Sequence, residues 1–396
     1  MRNSPRRFHI RAEAAINMSN ITRRRAVAGA TANLILASRA AVFGSQASSA
    51  VAVGIIGTGG RGRFVGTLFA KDPRARIAAL CDIVSDQIDR AKTQIPGADA
   101  ARVYKDYRQL LAQPDIDVVV IATPVFLHPE HFEAAVAARK HIYCEKPAAA
   151  DVAGVKRLLR AAQRADPTRH IVFGLQNRFS PEYQTAQKLL SSGKLGPLLF
   201  MECHFIRSGV PAKPVESPYP AAEQRLRHWT VWRETSGDII VEQDCHGLDV
   251  LNWFAQAHAL RAIGSGGRIK RTFGDNLDHL AVTFEYPRGL RGALVATHLT
   301  PPRYRDVREQ FFCGAGVLET HRSYYKWQPA EGEMVKVDSK REISIDAVED
   351  FLTKIVAGRC ENTAPSGCES TFTALLGRLA IDARREVSWE EMLKAE

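Results

Sequence analysis

Over the first half of the chain, short and uniformly apolar runs alternate with longer segments of helical spacing. Residues 51–56, 75–80, 118–121, 141–144 and 171–174 are the apolar runs. Residues 63–70, the segment from Val84, residues 107–111 and residues 128–138 read as helices between them. A further helix follows Asp151, with Val152, Val155, Leu158, Leu159 and Ala162 on one face at a 3.6-residue period. Runs apolar on both faces, alternating with helices, predict a doubly wound parallel sheet. Ligands of such sheets gather outside the carboxyl ends of the strands.

The second half changes period. Residues 281–286, 290–297, 309–313 and 316–320 read as strands, with turns at Pro287-Arg288-Gly289 and Gly314-Ala315, and helices are expected at 345–356 and 369–385. The predicted organisation is a leader over 1–50, a Rossmann-type doubly wound α/β domain over 51–175, and an α+β domain over 176–396.

The predicted strand ends carry the chemistry. Gly57-Thr58-Gly59-Gly60-Arg61-Gly62 follows the first strand with G-x-G-x-x-G spacing. Gly57 permits the turn, Gly59 lets backbone amides approach a pyrophosphate, and Gly62 lets the helix lie against the strand. Asp82 lies twenty residues past Gly62 at the end of the second strand, where a carboxylate accepts from an adenosine ribose and repels a 2′-phosphate. The site therefore leans to NAD over NADP. Asp82 could equally cap the helix from Val84. Thr123-Pro124 ends the third long run, and Glu145-Lys146-Pro147 follows the fourth. A lysine there could hold a hydroxyl oxygen and stabilise developing alkoxide charge.

In Ser236–Asp249, read as one helix, Glu242, His246 and Asp249 share a face at i, i+4 and i+7. A histidine suits proton abstraction near neutrality, and a carboxylate beside it would raise its basicity. Residues 211–220 are proline-rich and lead to Trp229-Thr230-Val231-Trp232, the pattern of a loop that covers a cleft, with Trp229 available either to stack on a substrate ring or to pack the loop onto its own domain.

Charge refines this picture. Eight arginines against one glutamate give residues 1–50 a charge of +7 out of +11, which leaves +4 for the other 346 residues and little reason to invoke nucleic acid. Thr22-Arg23-Arg24-Arg25, an uncharged stretch over 26–38 and small residues at 45–50 resemble a twin-arginine export signal, implying a periplasmic protein exported with its cofactor; a leader on a cytoplasmic protein is the alternative. The apolar stretch is too short to span a bilayer. The seven cysteines are scattered singly, against a disulfide framework or a structural zinc site, and no metal is expected in the chemistry.

The glycine turn, Ala122-Thr123-Pro124 with His128 four residues past the proline, and Glu145-Lys146-Pro147 together resemble the Gfo/Idh/MocA family of oxidoreductases, over roughly residues 51–390. Val125 stands where the family usually has asparagine. The resemblance implies an NAD(P)-dependent oxidoreductase acting on a secondary hydroxyl of a sugar, polyol or sugar derivative. It implies a C-terminal domain with an open, largely antiparallel sheet whose exposed face joins subunits into a dimer or tetramer. His246 matches the family's general base, and Glu242 replaces an aspartate four residues before it. Asn177 and Arg178, where the chain crosses into the second domain, become candidates for contacts to substrate or nicotinamide, as does Asp249 to substrate. Relatives of this fold also include glycosidases or lyases that oxidise a sugar transiently on a tightly held NAD, and non-catalytic sensors.

Overall fold

The computed structural model describes residues 50–209 and 219–395. The expected leader, and most of the expected proline-rich cleft loop, lie outside the described residues.

The apolar runs of the first half form a six-stranded parallel sheet in the order β3-β2-β1-β4-β5-β6. Its strands are β1 (Val51–Ile56), β2 (Ala75–Cys81), β3 (Arg102–Tyr104), β4 (Val118–Ile121), β5 (His141–Cys144) and β6 (Ile171–Phe173). This is the 3-2-1-4-5-6 order of a dinucleotide-binding sheet. All four residues of β4 are fully buried, which explains why the run lacks alternation: helices cover both faces. Ile121 of β4 and Cys144 of β5 are register partners, so Thr123 and Lys146 leave neighbouring strands at the same level.

The second sheet has nine strands in the order β14-β13-β12-β11-β7-β10-β9-β8-β15. They are β7 (Leu198–Arg207), β8 (Arg261–Gly267), β9 (His279–Glu285), β10 (Arg291–Thr297), β11 (Arg305–Cys313), β12 (Gly316–His321), β13 (Tyr324–Pro329), β14 (Val335–Asp338) and β15 (Val387–Ser388). Every pairing is antiparallel except that of β7 with β10. The expected strands correspond to β9 to β12, while β7, β8 and β13 to β15 were not anticipated. The helix Ala364–Ala383 packs against Val152–Gln163 of the first sheet and against β8 and the helix Cys245–Ala255 of the second, so one core runs through both. Among the described residues no helix is long and apolar enough to cross a membrane.

The single helix expected over 236–249 is three pieces: Arg233–Ser236, Ile239–Glu242 and Cys245–Ala255. Gly237 and Asp238 both adopt positive φ, +79° and +77°, and turn the chain between the first two. The Asp238 carboxylate holds the turn by accepting from the Ile239 and Leu277 amides at 2.7 and 2.9 Å. A second break at Gln243-Asp244 separates Glu242 from His246, so the expected common face of Glu242, His246 and Asp249 does not exist.

Candidate active site

A cavity of about 360 Å³ opens at the carboxyl ends of β1, β2 and β4, lined among others by Gly57, Gly59, Gly60, Asp82, Thr123 and Pro124. Its glycines do different work. At Gly57, φ is +88° and a Cβ would stand 2.7 Å from the backbone of Ala122 and Thr123; at Gly62 it would stand 1.9 Å from the Gly57 carbonyl oxygen. Both positions are closed to side chains by the protein itself. Gly59 and Gly60 have no atom within 4 Å of such a Cβ, so their bareness leaves open space rather than relieving a clash. Gly59 caps the helix Gly60–Lys71 without any side-chain bond, and no acidic residue stands in its first turn. Free amides at the positive end of a twelve-residue helix, facing open space, fit a pyrophosphate.

Asp82 lines the cavity and holds backbone on either side of it. Its Oδ2 accepts from the Thr58 amide and hydroxyl at 2.8 and 3.1 Å, and its Oδ1 from the Val84 amide at 3.0 Å just before the helix Ser85–Gln94. The carboxylate thus pins the glycine turn to β2 and still faces the cavity. Thr58 is wholly buried by this arrangement.

Three expected cofactor residues act at one remove. Arg61 pairs with the buried carboxylate of Glu145 at 2.8 Å and tethers the glycine turn to the end of β5; neither residue lines the cavity. His128 is 1 % exposed, with Nδ1 2.8 Å from the Pro147 carbonyl and Nε2 3.0 Å from that of Thr123. It therefore clamps the β4 and β5 exits together and is not among the residues lining the cavity, and burial pushes its pKa down to about 4. Sequence reasoning passed over His131, whose Nδ1 lies 3.1 Å from the Thr123 hydroxyl inside the cavity. Trp229, expected at the substrate, lines this first cavity beside Leu226 and Arg227. Arg227 pairs with Asp86 at 2.8 Å, fastening the segment 221–229 across the mouth.

A second cavity, of about 290 Å³, is lined by Lys146, Asn177, Glu242, Asp244 and His246 together with β7 and β11. Lys146, reached through a cis bond to Pro147, donates from Nζ to the Glu242 main-chain oxygen and lies 3.3 Å from its Oε1. Burial alone would lower the lysine, but the adjoining Glu242 carboxylate outweighs it and holds the ammonium charged. His246 opens the helix Cys245–Ala255. Contrary to expectation, its basicity is not raised by a carboxylate. Burial, and then the charges of Lys146, Arg61 and Arg322, push it well below its ordinary 6.5. Glu242 is committed to Lys146 instead.

Asp244 is 1 % exposed, has no hydrogen-bond partner on either oxygen, and is driven well above the carboxylate range by burial and by Asp238 and Glu242. It stands in the cavity wall as an acid that burial biases toward its protonated form. Arg178 and Asp249, expected at the substrate, bind each other through Nε and Nη2 at 2.8–3.1 Å, while Ser370 donates to Asp249 at 2.6 Å. Neither lines this cavity. The cavity residues Arg207, Arg305 and Glu309 went unread, although the alternation Met201, Cys203, Phe205, Arg207 was the available signal.

Comparison with known proteins agrees with this arrangement. Residues 51–172 match the GFO/IDH/MocA oxidoreductase family, NAD-binding Rossmann fold, and residues 183–319 match the GFO/IDH/MocA C-terminal domain. An uncharacterized oxidoreductase, YrbE, of Bacillus subtilis is 24 % identical over 242 residues, covering 60 % of this chain and 64 % of its own length. Inositol 2-dehydrogenase of Acidothermus cellulolyticus is 30 % identical over 234 residues, covering 57 % and 60 %. The chain thus spans under two thirds of these curated relatives. A levoglucosan dehydrogenase solved with NADH and levoglucosan shares the fold at a TM-score of 0.73 and 18 % identity, covering 85 % of this chain and 99 % of that one. With an NAD-binding Rossmann sheet, a mostly antiparallel partner sheet and both family domains in sequence, the chain belongs to the Gfo/Idh/MocA family of oxidoreductases.

Proposed function

We propose that the chain is an NAD-dependent dehydrogenase acting on a secondary hydroxyl of a sugar, polyol or sugar derivative. The observation that carries the proposal is the meeting of Lys146 and His246 in one cavity, with Lys146 leaving the sheet level with Thr123 of the dinucleotide cavity. NAD, when bound on the glycine turn, supplies the hydride acceptor. The charge of Lys146 then acts twice. It lowers the pKa of a hydroxyl placed against it, and it adds to burial in lowering His246, which favours the neutral imidazole that can take that proton. Glu242 holds the ammonium in place from both its main chain and its carboxylate. Asn177, 7 % exposed and free of side-chain bonds to described residues, is available to a second hydroxyl.

The names of the relatives, inositol 2-dehydrogenase and levoglucosan dehydrogenase, support a sugar or polyol substrate. The Asp82 carboxylate supports NAD over NADP. The Arg227–Asp86 pair across the cavity mouth supports a firmly retained cofactor. The arginine-rich start followed by an uncharged stretch supports periplasmic export by the twin-arginine route. Exposed Ile263 and Val295 on the outer face of the second sheet support assembly with further copies of the chain.

One observation favours a second reading. Asp244, buried in the cavity wall with no hydrogen-bond partner on either oxygen, is placed to donate a proton to a leaving group, as redox-assisted cleavage of a glycoside would need. Incubating the purified chain with NAD and a panel of polyols, sugars and glycosides separates the two. Lasting accumulation of reduced cofactor in step with ketone formation supports the dehydrogenase, whereas released aglycone without net reduction replaces it with the second reading.

A further inference from the structure

The floor of the second cavity carries charge that hydroxyl oxidation does not require. β7 and β11 are antiparallel neighbours whose register pairs Cys203 with Glu309, Phe205 with Val307, and Arg207 with Arg305. All six residues line the cavity. Alternate residues of a strand face one way, so the floor runs from a buried pair at Cys203 and Glu309 out to two arginines directly opposed across the ladder. Like charges in opposed positions repel. Burial, together with the charges of Arg207 and Arg322, accordingly holds Arg305 below its ordinary value.

Among the described residues neither arginine has a carboxylate partner. Arg207 donates from Nε to the Ser208 carbonyl at 3.1 Å, and Arg305 donates to no described group. Their neighbours in and beside the cavity are paired. Arg308, also on β11, has Asp306 at 2.9 Å and Glu319 at 3.5 Å; in the cavity, Arg322 is paired with Glu342 and Lys146 with Glu242.

The acids of the cavity do not offset Arg207 and Arg305. Glu242 is committed to Lys146. Asp244 is buried with no hydrogen-bond partner on either oxygen and is pushed well above the carboxylate range, away from the charged form. Glu309 accepts from Tyr183 and Thr320 at 3.0 and 2.7 Å, and burial pushes it up to about 7. An uncompensated pair of guanidinium groups at the open end of a ligand cavity is the arrangement that receives a carboxylate or another oxyanion through paired N–H donors.

We propose that the substrate is an anionic sugar or polyol, whose carboxylate, sulfate or phosphate lies between Arg207 and Arg305 while its reacting hydroxyl meets Lys146 and His246. This rests on the dehydrogenase reading and names its substrate class.

The test uses the full chain with NAD and matched pairs: glucose with glucuronate and galactose with galacturonate, with glucose 6-sulfate and glucose 6-phosphate as further arms. At least one anionic partner is expected to exceed its neutral counterpart in kcat/KM by roughly 10- to 100-fold. The preference should weaken with added salt, and should collapse toward unity in the R207Q/R305Q double variant, through KM more than kcat. The R207K/R305K variant should keep part of it. Calorimetric titration of the same anions into the enzyme–NADH complex gives a second readout. Neutral sugars oxidised as well as every anionic partner, or a preference untouched in the double variant, would overturn the proposal and leave the dehydrogenase standing. Arginine-dependent binding of an anion without oxidation of any compound would support the anion site and overturn the dehydrogenase. Neither binding nor oxidation would overturn both.

Discussion

The two cavities of this chain are specified in different currencies of physics. The dinucleotide cavity is a matter of shape: Gly57 and Gly62 stand where no Cβ fits, Gly59 and Gly60 where one would fill ligand space, and Asp82 ties the turn down. The neighbouring cavity is a matter of charge: Lys146 balanced by Glu242, His246 lowered by burial and then by cations, Asp244 raised by burial, and Arg207 and Arg305 left unbalanced. Shape comes from residues close together in sequence, at the ends of adjacent parallel strands. Charge balance comes from residues far apart, brought together only by the second sheet and a broken helix.

That contrast can be broken or sharpened experimentally. Replacing Lys146 by Met keeps the volume and removes the charge, and turnover should fall by roughly 100- to 1000-fold. The same change should alter the pH profile. In the native protein His246 is depressed well below 6.5, so activity should stay level through neutrality and be lost only as pH falls through that low value. Without the lysine charge, the acid limb of kcat/KM should move to higher pH; an unmoved limb would detach Lys146 from His246.

A smaller effect is expected at the shape-determined wall. Gly62→Ala places a methyl group against the Gly57 carbonyl oxygen, so the turn must shift. NADH affinity should drop by about tenfold and stability by about 1–3 kcal/mol, measured by fluorescence titration and denaturant melts. Unchanged affinity would show that the turn does not hold the cofactor.

The smallest effect concerns the clamp between the walls. His128 moves from an ordinary 6.5 down to about 4 on folding. Between those values the unfolded chain binds a proton that the folded chain refuses, so stability is full above 6.5 and is lost as pH falls toward 4. His131 and His141 add in the same direction, each lying near 4. Denaturant midpoints should therefore be lower at about pH 5 than at about pH 7; equal midpoints would contradict buried neutral histidines.

The same contrast explains what could be read from the sequence. Gly57, Gly59, Gly62, Asp82 and Lys146 were legible because local strand–turn–helix order fixes where such residues go, and period and spacing are visible in one dimension. The helix break at Gly237-Asp238 was not, since it depends on Leu277 meeting the Asp238 carboxylate from another part of the chain. For the same reason Asp249 looked like a cavity residue until Arg178 and Ser370 were seen to occupy it. The sign of the His246 shift was misread because Glu242, the carboxylate four residues before it, is spent on Lys146 while burial dominates the histidine. Arg207 and Arg305 were invisible as a pair because only strand register opposes them.

The central claim is that the glycine turn holds the cofactor while His246 performs the proton transfer. Replacing His246 by Ala and measuring NADH binding and turnover side by side tests it most directly. The account predicts an NADH dissociation constant within about twofold of the native value and turnover reduced by roughly 100- to 10 000-fold. Turnover at the native rate, or loss of turnover that merely follows loss of NADH binding, would contradict it.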